Sequence, residues 1–372
     1  MQIKARRTPK KRLMLALQGG GAKGAFTAGF IDTILQALQD KDNRVKDIDI
    51  IGVTGTSAGA LNGAILTYAL NSGDYETARK ALRSIYNEVS NYHLNLSWPD
   101  HSWVPDQHRW PNIPPETIAQ IKAGRQMKTL MHEWLSPVTQ FWEASSGISL
   151  ADLSGKNFYQ NILRRLLNKY IPDWTYLREG RSKLFVNSYR QHKVSGAGES
   201  YIFPQESLRA ANIVASASLF GPFDFEGHDH HDGAIIANPD MDMIDTLNPS
   251  DLLTVSLYPE PANEIIPSHQ KDATGSHPHG LKGSEIHAHL AWLHGLKGRK
   301  FKMHHVNLPH EAHWNESCAL NTDPRFINQL WLSGQEAANL WLDTAAPKLG
   351  KADTYTPRKT RAAQRRLVAA PA

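Results

Sequence analysis

The chain has 372 residues, enough for one large α/β domain or two smaller ones. Hydrophobic residues make up 41% and charged residues 21%, which excludes a disordered or fibrous chain, and no apolar run is long enough for a membrane span. A single cysteine, Cys318, excludes an internal disulfide framework, and the net charge of +5 is unevenly spread.

Residues 1–12 carry six basic side chains and no acid. They read as a solvated, disordered tail, as do residues 351–372, which carry six basic side chains and one acid. The body between them is net negative, which argues against a nucleic-acid enzyme. Basic tails can also draw a protein toward anionic lipid, so peripheral contact with an anionic membrane is an open reading. The run Leu13 to Leu17 is too short for a signal-peptide core and no cleavage site follows it. A cytoplasmic protein, with at most peripheral membrane contact, is the expectation.

Leu13 to Leu17 predicts the first strand. Gly19 to Gly24 form a glycine loop that leads into a helix over Ala25 to Leu38. Asp47 to Thr54 predicts a second strand, then the turn Gly55-Thr56-Ser57-Ala58-Gly59 and a helix over Ala60 to Leu70. Apolar or aromatic residues at helical spacing from Tyr75 to Val89 predict a helix over Asp74 to Val89. Residues 91–142 hold five of the ten tryptophans and six prolines. They read as an irregular insertion, either a lipid-facing lid or an elaboration packed on the body. Helices are predicted over Asn157 to Lys169, Leu208 to Ala217 and Phe326 to Leu342, and strands over Lys183 to Tyr189, Leu252 to Leu257 and Lys302 to Leu308. This alternation predicts an α/β fold, three layers deep, with a mainly parallel central sheet.

The turn around Ser57 carries the G-x-S-x-G pattern, with Gly55 and Gly59 as its glycines. A serine at the apex of a strand–turn–helix is presented as a nucleophile, and the helix start behind it favours developing negative charge. The same spacing also suits a small-residue turn where a helix packs on a strand. Gly19-Gly20-Gly21-Ala22-Lys23-Gly24 presents backbone N–H groups at a helix start, fit for a pyrophosphate or for an oxyanion. The second strand ends in the serine turn rather than in a ribose-binding acid, so the oxyanion reading is preferred. The best candidate base is Asp232, in His231-Asp232-Gly233-Ala234, just before Asn238-Pro239. An aspartate is a weak base unless its site is dry.

In order and spacing these three pieces resemble the patatin-like phospholipase family: a glycine-rich loop on the first strand–helix turn, G-x-S-x-G on the second, and D-G-[GA] far downstream. Ser216, Pro222 and Phe223 resemble the family's approach to its aspartate. The resemblance covers about residues 13 to 240. It implies a Ser57–Asp232 dyad without histidine, an oxyanion hole built from the loop of Gly19, Gly20, Gly21, Lys23 and Gly24, no cofactor, and a lipid acyl-ester substrate. Lys23 stands where many members carry arginine, and Ala234 where many carry glycine. The organisation expected is a catalytic domain over 13–243 and the remainder of the α/β body over 244–350, flanked by the two tails.

Three other readings stand beside this one. A Ser–Asp–His triad is conceivable, because nine histidines from His277 to His313 follow Asp232. Against it, the serine turn follows the second strand, earlier than in that fold. The histidines at 228, 230, 231, 287 and 289 invite a metal, but without a sharp ligand spacing none is expected. A non-catalytic nucleotide- or lipid-binding module is the third, disfavoured by the presence of both Ser57 and Asp232. The sequence assigns no oligomeric state.

Overall fold

Among the described residues the eight strands are β1 (Lys11–Leu17), β2 (Ile48–Gly55), β3 (Lys183–Gln191), β4 (Gly198–Ile202), β5 (Phe223–Phe225), β6 (His228–His231), β7 (Asp251–Ser256) and β8 (Lys302–Asn307). The α-helices among these residues are α1 (Gly24–Gln39), α2 (Ala58–Ser72), α3 (Tyr75–Asn91), α4 (Lys156–Tyr170), α5 (Thr175–Glu179), α6 (Ala210–Ser216), α7 (Glu285–Gly295) and α8 (Pro324–Thr344). The structure, a computed structural model, describes residues 10–91, 156–193, 198–219, 222–258, 285–309, 319 and 321–357. The Trp-rich insertion expected at 91–142 lies outside the described residues except for residue 91, as do residues 1–9 and 358–372 of the tails.

The sheet order is β5-β6-β3-β2-β1-β7-β8, with β4 paired to β3. The five strands β3, β2, β1, β7 and β8 are mutually parallel. β1 lies centrally and is apolar on both faces, as a parallel strand covered on both sides must be. Leu13, Leu15 and Leu17 enter one core with residues of α1, α2, α3 and α8. Met14 and Ala16 enter the other, with Ile286, Leu290 and Leu293 of α7, Met303 of β8, and Tyr355. Helical cover on each face of a mainly parallel sheet makes a three-layer α/β/α fold.

The far end of β3 departs from the parallel pattern. There β4 and β6 pair with it in antiparallel register, and β5 extends the sheet from β6. These strands carry no sequence signal of their own: β4 is mostly exposed, and β6 is His-Asp-His-His. Helix α7 is likewise unpredicted. Its sequence, EIHAHLAWLHG, places histidines where apolar residues are looked for, and His287 is buried with Nε2 at 2.9 Å from the Tyr258 carbonyl.

The body extends further at both ends than composition suggests. β1 starts at Lys11, and Arg12 donates to the Asn248 carbonyl at 3.2 Å. Residues 351–357 belong to the body. Asp353 accepts from Arg299 at 2.8 Å and from the Met303 N–H at 2.7 Å, and Tyr355 is buried. A single acid in a basic run anchors this segment by pairing with a half-buried guanidinium.

Candidate active site

β2 delivers the chain to Gly55, and α2 begins at Ala58. Between them Ser57 adopts φ 55°, ψ −121°, a conformation side chains rarely occupy. The surroundings over-determine it. The Ser57 N–H donates to Ser216 Oγ, at the end of α6, at 2.9 Å, and the Gly59 N–H donates to the Thr56 carbonyl at 2.7 Å. A Cβ on Gly59 would lie 2.1 Å from the Leu17 carbonyl oxygen, so α2 starts directly against the end of β1. Only a residue without a side chain permits that approach.

Asp232 follows β6 and caps the 3₁₀ turn Gly233–Ile235, accepting from the Ala234 N–H at 2.9 Å. Its own N–H donates to the Ser218 carbonyl at 3.1 Å. The residue is 2% exposed. Burial raises its pKa from 3.8 to about 6, while the Ala234 N–H and hydrogen bonding from the Ser57 hydroxyl oppose the rise. A hydroxyl and a carboxylate of raised basicity therefore meet in a dry site, with the start of a 15-residue helix behind the hydroxyl.

Two asparagines join the loops that carry these groups. Asn187, on β3, accepts from the Thr56 hydroxyl and donates its amide to the Ala237 carbonyl at 3.0 Å. It thereby links the serine turn to the segment after Asp232. Asn238 accepts from the Gly19 N–H at 2.6 Å and donates to the Gly19 carbonyl at 3.1 Å, linking that segment to the glycine loop. Asn187 escaped the sequence reading. A buried amide in the apolar strand LFVNSY, where asparagine is disfavoured, was the signal available.

The glycine-loop residues have different fates. Gly19 is buried, its N–H held by Asn238, and a Cβ on it would sit 2.6 Å from the Thr56 oxygen and 2.9 Å from Ser57 Cβ. The N–H groups of Lys23 and Gly24 close onto carbonyls of the loop's own 3₁₀ turn. The Lys23 side chain is buried, its ammonium 4.2 Å from the centre of the Tyr258 ring. Gly20 and Gly21 remain partly exposed. Gly55 packs against Gly59, and Gly233 against Asn187.

A cavity of about 300 Å³ lies behind the aspartate turn, lined by Gln18, Ala234, Asn238, Asp240, Ile286 and His289 among others. Neither Ser57 nor Asp232 lines it.

Among the described residues no histidine hydrogen-bonds Ser57. His230 faces Ser188 at 2.8 Å, His287 faces the Tyr258 carbonyl, and His304 lies 2.9 Å from Asp251 and 2.8 Å from Thr354. His277, His279, His310 and His313 lie outside the described residues. Among the described residues no three His, Cys, Asp or Glu side chains gather as a metal-binding group. No helix among them is long and apolar enough to cross a membrane.

No curated protein matches the sequence. Among solved structures the chain is similar to VipD from Legionella pneumophila, at 20% identity and a TM-score of 0.37, covering 91% of this chain and 67% of that one. It is also similar to ExoU, solved in complex with SpcU from the type III secretion system of Pseudomonas aeruginosa, at 15% identity and a TM-score of 0.29. That match covers 89% of this chain and 53% of the other, so the chain spans about half the length of that structure. The family model described as patatin-like phospholipase matches residues 15–244, which include the glycine loop, the serine turn and the aspartate turn. The chain belongs to the patatin-like phospholipase family.

Proposed function

We propose that this protein hydrolyses lipid acyl esters with Ser57 as nucleophile and Asp232 as the base. The carrying observation is the meeting of a hydroxyl, held at a strained helix start, with a buried carboxylate whose pKa is raised to about 6. Such a carboxylate is ionised at neutral pH and more basic than an exposed one, as proton abstraction requires. Membership of a family of lipid acyl hydrolases supports the reading.

In the proposed reaction Ser57 Oγ attacks the ester carbonyl as its proton passes to Asp232. The tetrahedral oxyanion faces the glycine loop. Gly20 and Gly21 are its proposed donors, because the N–H groups of Gly19, Lys23 and Gly24 have partners inside the protein. The intermediate collapses, the carbon–oxygen bond to the alcohol breaks, and Asp232 returns the proton to that oxygen. Water then attacks the acyl-serine, losing a proton to Asp232, and the fatty acid leaves as Ser57 recovers its proton.

The test is a panel of phospholipid, lysophospholipid and glyceride esters assayed with the full chain and with Ser57→Ala. Turnover is expected on acyl esters, and the variant should lose at least about a thousandfold in kcat. Retention of turnover by Ser57→Ala would reject the assignment.

A further inference from the structure

We propose that Asn238 is a positioning residue for the oxyanion donors; the proposal rests on the hydrolase reading above. Its side chain makes a two-point clamp on a single peptide segment 219 positions away, accepting from the Gly19 N–H at 2.6 Å and donating to the Gly19 carbonyl at 3.1 Å. Gly19 also packs closely on the serine turn: a Cβ on it would meet the Thr56 oxygen at 2.6 Å, Ser57 Cβ at 2.9 Å and Asn238 Oδ1 at 3.1 Å. The first residue of the glycine loop is therefore packed against the serine turn and hydrogen-bonded at both ends of its backbone to Asn238. Gly20 and Gly21 follow directly, so the clamp sets where their N–H groups stand relative to Ser57.

The clamp also decides which N–H groups can serve. By taking the Gly19 N–H, Asn238 removes that donor from the loop's outer surface and hands the oxyanion to the next residues. Asn238 itself touches no reacting atom. It belongs to the segment that begins with Asp232, and Asn187 ties the same segment to Thr56. Base, nucleophile turn and donor loop are thus fixed against one another by two side-chain amides. Displacement of the donors by about 1 Å is enough to cost a hundredfold in rate, whereas ground-state binding of an acyl chain does not depend on them.

Asn238→Ala removes the clamp. Asn238→Asp keeps the acceptor for the Gly19 N–H, loses the donor to the Gly19 carbonyl, and adds a negative charge near the developing oxyanion. Both variants, the wild type and Ser57→Ala are assayed on one ester substrate. The same proteins are titrated with a trifluoromethyl ketone analogue, which forms a tetrahedral adduct, and with the product fatty acid. Each Asn238 variant is expected to lose about 10- to 100-fold in kcat and a similar factor in ketone affinity. For Asn238→Ala, KM, fatty-acid affinity and the midpoint of the acid limb of the pH profile should stay near wild-type values, whereas the added charge of Asn238→Asp should weaken fatty-acid binding and raise that midpoint. If Asn238→Ala fails to fold, Asn238→Asp carries the comparison as its loss of ketone affinity in excess of its loss of fatty-acid affinity, because the added charge acts on both anions. A kcat within threefold of wild type, or a fall in kcat with ketone affinity unchanged, overturns the proposal. Full turnover by Ser57→Ala would instead overturn the hydrolase assignment beneath it.

Discussion

The backbone N–H of Ser57 donates to the Ser216 hydroxyl at 2.9 Å. This bond ties the most strained residue of the site to the end of α6 and satisfies a buried donor at the helix start. Ser216→Ala leaves that donor without its partner, at a cost of about 1–3 kcal/mol. Unfolding in urea should report that loss. Activity should fall about tenfold in kcat, because the φ of Ser57 loses one of its restraints. A variant as stable and as active as wild type would show that the bond contributes nothing.

The raised pKa of Asp232 sets the pH dependence. As the proposed base, Asp232 would act only when ionised, so kcat/KM should rise with pH through a midpoint near 6 and then level off. Ionisation of a carboxyl has little enthalpy and that of an imidazole is strongly endothermic. Warming should therefore leave this limb almost in place. A limb that moves to lower pH on warming would assign the base to a histidine.

The same group costs the protein stability. The folded state binds the Asp232 proton more tightly than the unfolded chain does, so its favourable contribution is complete below about pH 4 and is lost as pH rises through about 6. Asp232→Asn removes a buried charge while keeping an oxygen for the Ala234 N–H. At neutral pH it should raise the unfolding free energy by on the order of 2 kcal/mol, and the gain should vanish in acid. Hydrolysis should be abolished in the same variant. Lower stability than wild type at neutral pH would contradict the balance of burial and hydrogen bonding described here.

Gly59 and Gly73 offer a paired test of close packing. A Cβ on Gly59 would overlap the Leu17 carbonyl oxygen at 2.1 Å, whereas Gly73 has φ 78° and nothing within 4 Å of its added Cβ. Gly59→Ala should cost about 3 kcal/mol or more through overpacking, with loss of activity. Gly73→Ala should cost about 1 kcal/mol from backbone strain alone and leave kcat unchanged. Equal effects at the two positions would refute the steric account.

Much of this was legible in the chain itself. Leu13 to Leu17 and Leu252 to Leu257 announced central parallel strands because both of their faces are buried, and the run of apolar residues needs no partner to be read. The glycine loop, Ser57 and Asp232 were visible as motifs because each imposes a local backbone shape. The antiparallel strands β4 to β6 were not visible, since their identity comes from pairing with β3 rather than from their own residues. Asn187 and Asn238 were opaque as links for a similar reason. An amide that bridges loops more than a hundred positions apart carries no pattern at short range. Asp353 shows the reverse case: one acid in a basic run looked incidental, and it anchors residues 351–357 to the body through Arg299.

The contact between Gly59 and Leu17 is one of main chain on main chain. Side-chain substitutions elsewhere can thicken or thin the core, but they cannot slide α2 further along β1, because peptide atoms already block the way. The serine hydroxyl is thus indexed to the sheet by a hard stop, much as a tool is seated against a shoulder. Variation in the surrounding layers can reshape the space around the site while the Ser57 hydroxyl, the proposed nucleophile, keeps its address.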